Sequence, residues 1–264
     1  MIVNNKLGIT LSGGGFRGIA HLGVLQYVQE LKMIPDEISG TSAGALLGAF
    51  IAHGYTPEEV LDFCKKEKLF SYSDISMTRG GLFSTSILEK IIKKYIPHDS
   101  FEQLKKPLFV AVTDLTNARS LVFNRGSLSL AVKSSCCFPL VFQPVLYKDA
   151  YLCDGGLLNN FPVEQVRANC NKVIGINVDT VGKMEGEPGY KEIITRLIRI
   201  ATANMVKSPE KNCDLYIRMD ELSRYGTFET KKMDELFQAG YQHAKKYRKD
   251  LLAIKESLQA NRAG

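Results

Sequence analysis

The sequence predicts one α/β domain that is built around a largely parallel β-sheet. Short apolar runs alternate with segments of helical periodicity along the 264 residues, and this alternation is typical of strand–helix–strand units. The runs over residues 108–112 and 173–178 are apolar almost throughout, as in strands that are covered on both faces. No repeat or linker-like stretch divides the chain, and its length suffices for one sizeable core. We therefore predict a single domain over residues 1–264.

The first two strand–helix pairs can be placed from periodicity. Leu7–Leu11 is predicted as a strand that runs into a group of glycines. Apolar residues then recur at helical spacing from Ile19 to Leu31, which predicts an amphipathic helix. A short strand over residues 36–39 follows, and residues 43–53 continue as a second helix.

The next two helices carry start and stop signals. Thr56 is the predicted N-cap of the third helix, because Pro57 occupies the first helical position and Glu59 closes a capping box. A fourth helix over residues 86–95 places three isoleucines on one face. It stops before Pro97, which cannot continue a helix.

The second half of the chain supplies the remaining strands and the late helices. Residues 121–123 are predicted to pair with the strand over 108–112, and residues 150–153 form another short strand. Helical periodicity returns over about residues 190–206 and 230–258.

Composition excludes several classes of protein. Hydrophobic residues make up 45% of the chain and charged residues 23%, which excludes disordered and fibrous proteins. No apolar run approaches the roughly 20 residues that a membrane-spanning helix needs. The first ten residues lack the basic and long apolar regions of a signal peptide, so we expect a cytoplasmic protein.

The cysteines and histidines do not form a recognisable metal or disulfide pattern. The six cysteines include the adjacent pair Cys136 and Cys137 but no Cys-x-x-Cys pair, and the chain has only four histidines. We expect reduced, mostly buried thiols and neither a zinc site nor any other metal or cofactor.

The net charge of +6 is modest for this length. We expect the lysine pairs to form solvated helix faces, and the alternative is weak attraction to an anionic lipid surface at the edge of a membrane. A nucleic acid partner is not expected, because no basic stripe is interleaved with aromatic residues. The pairs stand at positions 65–66, 93–94, 105–106, 231–232 and 245–246.

Residues 40–44 read Gly-Thr-Ser-Ala-Gly and fit the G-x-S-x-G nucleophile elbow. Small residues on both sides of Ser42 would permit a tight turn between a strand and a helix, with Gly40 and Gly44 as the flanking glycines. The N-terminal amides of the following helix would point towards a developing oxyanion. The alternative is a glycine-rich turn in which Ser42 only caps the helix.

Residues 13–18 read Gly-Gly-Gly-Phe-Arg-Gly and also connect a strand to a helix. Consecutive glycines can align backbone amides on an anion, either a dinucleotide pyrophosphate or the oxyanion of acyl transfer. A dinucleotide site also needs an acidic residue at the end of the second strand, whereas Asp36 stands at its beginning. The pattern therefore favours an oxyanion hole that acts together with Ser42.

Asp154 is followed by two glycines after the strand over residues 150–153. The Asp-Gly pair alone indicates a turn. A carboxylate at a strand end beside a sharply turning backbone could equally belong to an active site.

Together the three motifs, in this order, resemble the patatin-like phospholipase family, in its bacterial, single-domain form. Residues 134–144, with two cysteines and two prolines, look like the family's third block. Residues 111–115 and 159–162 are similar to its internal strand and to the segment that follows the aspartate. The resemblance covers about residues 7–180, and helices over about 190–262 would pack on that part.

The resemblance implies a three-layer α/β/α sandwich, a mainly parallel central sheet and a Ser-Asp dyad. Ser42 would attack the acyl carbonyl, and Asp154 would accept its proton directly. Backbone amides of Gly14 and Gly15 would stabilise the oxyanion with help from Arg17, in a loop that also includes Gly13 and Gly18. The implied substrate is a lipid or another acyl ester, and no cofactor is implied.

Two other functions fit parts of the sequence. An α/β-hydrolase with a Ser-Asp-His triad would need a late histidine, for which His243 is the candidate. A lipid-binding module without catalysis could use the same cleft. The sequence leaves open the substrate, whose choice would depend on segments such as 75–88 and 193–205, and also the oligomeric state.

Overall fold

The computed structural model describes residues 5–69, 85–184, 186–205, 209–225 and 232–260. Within these residues the strands are β1 (Leu7–Leu11), β2 (Glu37–Thr41), β3 (Leu108–Asp114), β4 (Arg119–Phe123), β5 (Val145–Tyr147), β6 (Ala150–Asp154), β7 (Lys172–Asn177) and β8 (Leu215–Arg218). The helices are α1 (Ile19–Glu30), α2 (Ala43–His53), α3 (Pro57–Lys66), α4 (Ser86–Tyr95), α5 (Leu128–Ser135), α6 (Val163–Arg167), α7 (Tyr190–Met205), α8 (Met233–Lys245) and α9 (Arg248–Ala260).

The strands form one mixed sheet in the order β5-β6-β3-β2-β1-β7-β8, and β4 pairs with β3 outside this path. β8, β7, β1, β2 and β3 run parallel to one another. β4 and β6 run antiparallel to β3, and β5 runs antiparallel to β6. The mainly parallel sheet predicted from the sequence is thereby confirmed, with an antiparallel end built from β4 to β6.

Helices cover both faces of this sheet. The larger apolar core lies under α1, α2 and α5 and includes Ile9, Leu22 and Leu47, while α8 packs on the outside of α1. The opposite face carries α6, which packs on β1, β2 and β7 over a smaller cluster that includes Phe161 and Val166. This arrangement is the three-layer α/β/α sandwich that the resemblance implied.

Most predicted elements occur where the sequence placed them. The strand over residues 7–11 and the helices over 43–53 and 86–95 have the predicted bounds. Thr56 caps α3 as expected, because its hydroxyl accepts from the N–H of Glu59 at 3.3 Å and the Glu59 carboxylate accepts from the N–H of Thr56 at 2.8 Å. β2 extends beyond the predicted strand, to Thr41.

The sequence predicts one helix over about residues 230–258, and this prediction is wrong. α8 ends at Lys245, and α9 begins at Arg248. Between them the N–H groups of Lys246 and Tyr247 donate to carbonyls three residues earlier, which tightens the last turn and ends the regular helix. Residues 206 and 230–231 of the predicted late helices lie outside the described residues.

Candidate active site

Ser42 occupies the turn between β2 and α2. Its φ of 53° and ψ of −122° lie in a left-handed region that residues with a side chain seldom adopt. Two glycines permit this turn: a Cβ on Gly40 would lie 2.6 Å from the backbone of Gly44, and a Cβ on Gly44 would lie 2.4 Å from the carbonyl oxygen of Leu11. The serine is thus held half-buried at the end of a strand, in the geometry of a nucleophile elbow.

A serine of α5 fixes the backbone of this turn. The N–H of Ser42 donates to Ser135 Oγ at 2.8 Å, and the Ser135 hydroxyl donates to the Ala111 carbonyl in β3 at 2.7 Å. Ser135 is fully buried, so water does not compete for this bridge. The Ser42 amide is therefore committed to the protein and is not a donor for a substrate.

The register of β3 brings Asp154 beside Ser42. Thr41, the last residue of β2, pairs with Ala111, and Asp154, the last residue of β6, pairs with Val112. Ala111 and Val112, which are consecutive in β3, thus pair with Thr41, the residue before Ser42, and with Asp154. Two segments more than 110 residues apart in the sequence meet at one point of the sheet.

The glycine that follows Asp154 is required by close packing against β3. A Cβ on Gly155 would lie 2.3 Å from the carbonyl oxygen of Ala111, so no other residue fits without a shift of the backbone. This contact explains why the aspartate is followed by glycine.

The Asp154 carboxyl group is buried beside the serine. It is 4% exposed and accepts from the N–H of Gly156 at 2.8 Å, and hydrogen bonding by the Ser42 side chain is one of the influences that lower its pKa. Burial raises the pKa of Asp154 to about 7, and the nearby charge of Asp179 acts in the same direction. The two hydrogen bonds, which stabilise the carboxylate, lower this pKa only in part.

The glycine loop, residues 13–18, lies against the elbow. The N–H of Gly13 donates to Asn160 Oδ1 at 3.1 Å, so this amide is engaged. Gly14 and Gly15 stand at the start of a 3-10 helix over residues 15–18, where N–H groups have no acceptor within the helix. Gly18 allows the loop to approach α2, because a Cβ there would lie 2.6 Å from the Cβ of Ala43.

Hydrogen bonds to two carbonyls orient the amides of this loop. Ser12 Oγ donates to the carbonyl of Gly13 at 2.8 Å, and Arg17 Nε donates to the carbonyl of Gly14 at 3.4 Å. In a trans peptide the N–H points opposite to the preceding carbonyl. The amides of Gly14 and Gly15 therefore point away from these donors, and both glycines line the cavity that also contains Ser42.

Arg17 is buried behind the loop. Its guanidinium donates to Asp179 Oδ1 at 3.2 Å and to the carbonyl and hydroxyl oxygens of Thr180. Because the group is 2% exposed, desolvation lowers the pKa of Arg17 to about 10. Its hydrogen bonds all go to protein oxygens, which favours a role in holding the loop over direct contact with an oxyanion.

Asp179 joins three parts of the site, and its role was not predicted. Its carboxylate accepts from Asn160 Nδ2 at 2.9 Å, from Arg17, and from Arg199 of α7 at 3.3 Å. Asn160 in turn holds the amide of Gly13. The motif that follows Asp154 in the sequence contains Asn160, but nothing in that motif indicates its partners.

A cavity of about 230 Å³ opens beside Ser42 and Asp154. The glycine loop forms one wall, and the N-terminus of α2 lies next to it. Most of the remaining wall is apolar, which suits a hydrocarbon chain. The apolar lining residues include Leu46, Leu69, Ile87, Leu88, Ile91, Phe138, Val141 and Phe142. Of the segments expected to shape the substrate pocket, residues 75–84 lie outside the described residues.

The family profile of patatin-like phospholipases matches residues 9–167, which include all three motifs. The chain belongs to the patatin-like phospholipase family. The resemblance inferred from the motifs is thereby confirmed.

Relatives of this patatin-like chain occur in bacteria and fungi. An uncharacterised NTE family protein of Mycobacterium tuberculosis is 31% identical over 175 residues, which cover 64% of this chain and 29% of the relative. The lysophospholipase NTE1 of Lodderomyces elongisporus is 24% identical over 283 residues, which cover 93% of this chain and 19% of the relative. The chain thus spans less than a third of the length of these curated relatives.

A solved structure shares the patatin-like fold of this chain. VipD from Legionella pneumophila matches with a TM-score of 0.54 and 16% sequence identity. The match covers 95% of this chain and 67% of that chain. At this identity the likeness concerns the fold alone.

No histidine of the described residues lines the cavity of this patatin-like domain. His21 is fully buried, its Nε2 is hydrogen-bonded to the carbonyl of Ser12, and burial lowers its pKa to about 4. His243 lies on α8 and is hydrogen-bonded through Nδ1 to Glu221. A Ser-Asp-His triad therefore lacks its histidine in this site.

The thiols of the cysteine pair beside Asp154 remain in the protonated form. Burial and the charge of Asp154 raise the pKa of both the Cys136 and the Cys137 thiol, so both stay protonated at neutral pH. The structure has no disulfide among the six cysteines, all of which are described. Across the described ranges, no group of three or more histidine, cysteine, aspartate or glutamate residues could hold a metal ion.

Proposed function

We propose that this chain is a serine hydrolase of lipid acyl esters, with Ser42 as the nucleophile and Asp154 as the general base. The observation that carries the proposal is the placement of Ser42, at the turn after β2, beside a buried carboxyl group whose pKa is about 7. Such a group can accept a proton near neutral pH, because proton transfer is most effective when the pKa of the base lies close to the working pH. Family membership supports a lipid substrate.

The first half of the reaction forms an acyl-enzyme. Ser42 Oγ attacks the ester carbonyl while its proton passes to the Asp154 carboxylate. The N–H groups of Gly14 and Gly15 donate to the oxyanion of the tetrahedral intermediate. When the intermediate collapses, the bond to the leaving alkoxide breaks, and the proton on Asp154 passes to that oxygen to release an alcohol or a deacylated lipid.

The second half restores the enzyme. Water attacks the acyl-enzyme carbonyl, and Asp154 accepts a proton from that water. The same amides stabilise the second oxyanion. Collapse of this intermediate breaks the bond to Ser42 Oγ, which takes back the proton from Asp154, and a carboxylic acid leaves.

The apolar wall of the cavity predicts that the acyl chain, rather than the head group, is enclosed. The carbonyl chemistry is the same for phospholipids, lysophospholipids, acylglycerols and short acyl esters. A panel of these esters, varied in acyl length and head group, tests the proposal, with Ser42→Ala as the control. If none of the esters in the panel were hydrolysed, the proposed function would be contradicted.

Activity is expected to depend on pH through Asp154. The ionised carboxylate is the base, and its pKa is about 7, so kcat/KM should reach half of its maximum near pH 7 and level off above it. Below that pH it should fall about tenfold per pH unit. Initial rates with an uncharged, water-soluble ester between pH 5 and pH 9 measure this profile. A rate that stays constant between pH 6 and pH 8 would exclude Asp154 as the base.

His243 is expected to be dispensable for the reaction. Its hydrogen bond to Glu221 and its position outside the cavity lining predict that His243→Ala changes kcat/KM less than about tenfold, whereas loss of a triad base costs several orders of magnitude. The measurement is ester hydrolysis at pH 8, compared with the unsubstituted chain. A fall to the level of Ser42→Ala would favour the α/β-hydrolase mechanism instead.

A lipid-binding module without catalysis would share the cavity but not its reactivity. A fluorophosphonate probe should label the unsubstituted chain at Ser42 and leave Ser42→Ala unlabelled, because only an activated serine attacks the probe at a useful rate. Binding of a fatty acid in the cavity, without labelling, would favour the non-catalytic module.

A further inference from the structure

α7 exposes a stripe of large apolar side chains. Tyr190, Ile193 and Leu197 follow one another at spacings of three and four residues, so they share one side of the helix. Their exposed fractions are 79%, 40% and 57%. Large exposed apolar side chains in a row mark a surface that contacts another apolar phase.

The same helix forms part of the wall of the active-site cavity. Thr195, Arg199 and Thr202 line the cavity, and Arg199 is hydrogen-bonded to Asp179 and to the carbonyl of Thr180. α7 therefore has one side on the cavity and another side, with the stripe, towards the outside.

Three further exposed apolar residues either line the cavity or adjoin a lining residue in the sequence. Ile87 is 41% exposed and is itself a lining residue. Leu140 lies between the lining residues Phe138 and Val141, and Leu158 follows the lining residue Leu157. With the α7 stripe they make up what we call the apolar rim: Ile87, Leu140, Leu158, Tyr190, Ile193 and Leu197.

We propose that the apolar rim is the surface by which this protein docks on a phospholipid bilayer, with α7 lying flat at the interface. The inference rests on the proposed function, because it names the surface from which the site takes its acyl chains. Whatever covers the rim must still let substrate reach the cavity. A bilayer itself contains the substrate lipids, whereas a folded partner seated on the rim would close the cavity.

The shape of α7 fits this role. No helix in the described part of the chain is both long and apolar enough to cross a membrane, so α7 can bind only along the surface. A helix with an apolar side and a polar side lies in the plane of the interface, and an aromatic residue such as Tyr190 is favourable at that depth. The net charge of +6 adds attraction to anionic lipid.

The paired lysines are less suited to this contact than the rim. Lys65 is bound to Asp234, Lys93 to Glu89, and Lys94 to Glu67. Their charge is therefore partly neutralised within the protein. These lysine faces are therefore weaker candidates for contact with anionic lipid than the rim.

Vesicle binding tests the proposal independently of catalysis. The protein is the full chain with Ser42→Ala, and the probe is sonicated vesicles of phosphatidylcholine and phosphatidylglycerol at a ratio of about three to one, a surface whose negative charge attracts the basic chain. Leu197→Asp is added to disrupt the stripe. Tyr190→Asp is a second variant, since an acidic residue in the first turn favours the helix and so preserves α7.

The matched control is Ile34→Asp. Ile34 is 63% exposed, a fraction similar to the 57% of Leu197. It precedes β2, so it lies at the end of the sheet opposite to Ser42. Sedimentation should show that Leu197→Asp and Tyr190→Asp each weaken vesicle binding at least tenfold, with Ile34→Asp within twofold of the parent. Thermal unfolding of each variant checks that the fold is kept.

Three results would overturn the proposal. One is the absence of vesicle binding by the parent, and another is equal binding by all variants. The third is a parent that is a dimer in solution and becomes monomeric with Leu197→Asp while vesicle binding is unchanged, which would assign the rim to a second copy of the chain. Hydrolysis of a water-soluble ester by the unsubstituted chain, in any of these cases, would leave the proposed function standing.

Discussion

Replacing Ser42 by alanine or Asp154 by asparagine is expected to abolish ester hydrolysis while the fold is kept. The first change removes the attacking oxygen. The second removes the proton acceptor, since an amide of the same shape cannot take the proton from Ser42. Because both residues act in one step, each single substitution should lower kcat/KM by about 10⁴-fold or more, and the double variant should be no worse than either one.

The measurement is hydrolysis of a water-soluble ester, with circular dichroism and thermal unfolding to check the fold. Asp114→Asn is the matched control, because Asp114 is also buried but is absent from the cavity lining, and its carboxylate accepts from Asn117 and Arg119 just after the C-terminal end of β3. Substantial turnover by Asp154→Asn would exclude the dyad. A large loss with Asp114→Asn would show that the effect is not specific to Asp154.

A side chain at Gly14 is expected to lower the rate of acylation by two to three orders of magnitude. A Cβ at this position would lie 2.8 Å from Cγ2 of the buried Val178, so we expect Gly14→Val to displace the loop and turn its amides. Loss of one oxyanion donor typically costs about 3 kcal/mol, or 100- to 1,000-fold in rate. The rate at which a fluorophosphonate labels Ser42 measures acylation directly.

Gly126→Ala controls for the general cost of replacing a glycine. Gly126 has a φ of +81° and no atom within 4 Å of its ideal Cβ position. It lies in the loop before α5 and is not one of the residues that line the cavity. This variant should lose stability through backbone strain and still be labelled at the parent rate. Normal labelling of Gly14→Val would show that the glycine loop does not form the oxyanion hole.

The dinucleotide alternative for the glycine loop makes an opposite prediction. It would require tight binding of a nicotinamide or flavin dinucleotide that Gly14→Val abolishes. The carboxylate of Asp36, which such a site would need, accepts from the N–H of Leu7 at 2.8 Å. Asp36 therefore stands at the beginning of β1 and β2, away from the glycine loop, and calorimetry should detect no dinucleotide binding.

The strands and helices that surround the motifs could be predicted because their signals are local. The capping box of α3, the glycines after β1 and the apolar run of β3 each depend on a few adjacent residues. The motif Gly-Thr-Ser-Ala-Gly likewise contains both glycines that the turn at Ser42 needs. Local signals of this kind survive without any knowledge of tertiary packing.

What joins these motifs into a site is not local. The pairing of Thr41 and Asp154 with consecutive residues of β3 is a matter of strand register, which a single sequence does not reveal. The same holds for Ser135, whose bridge to the Ser42 amide spans 93 residues. Arg17 stands in a recognised motif, yet its burial against Asp179 and Thr180 decides its role, and burial depends on the folded chain.

The buried carboxyl of Asp154 makes the protein less stable at the pH at which it would be most active. In the unfolded chain this carboxyl loses its proton near pH 3.8, and in the folded chain near pH 7. Between these values the folded state binds the extra proton, so the free energy of unfolding falls as the pH rises across that window. Above pH 7 the loss approaches the order of 4 kcal/mol. Asparagine at position 154 carries no charge to desolvate, so above pH 7 the inactive Asp154→Asn variant should have a higher free energy of unfolding than the active chain.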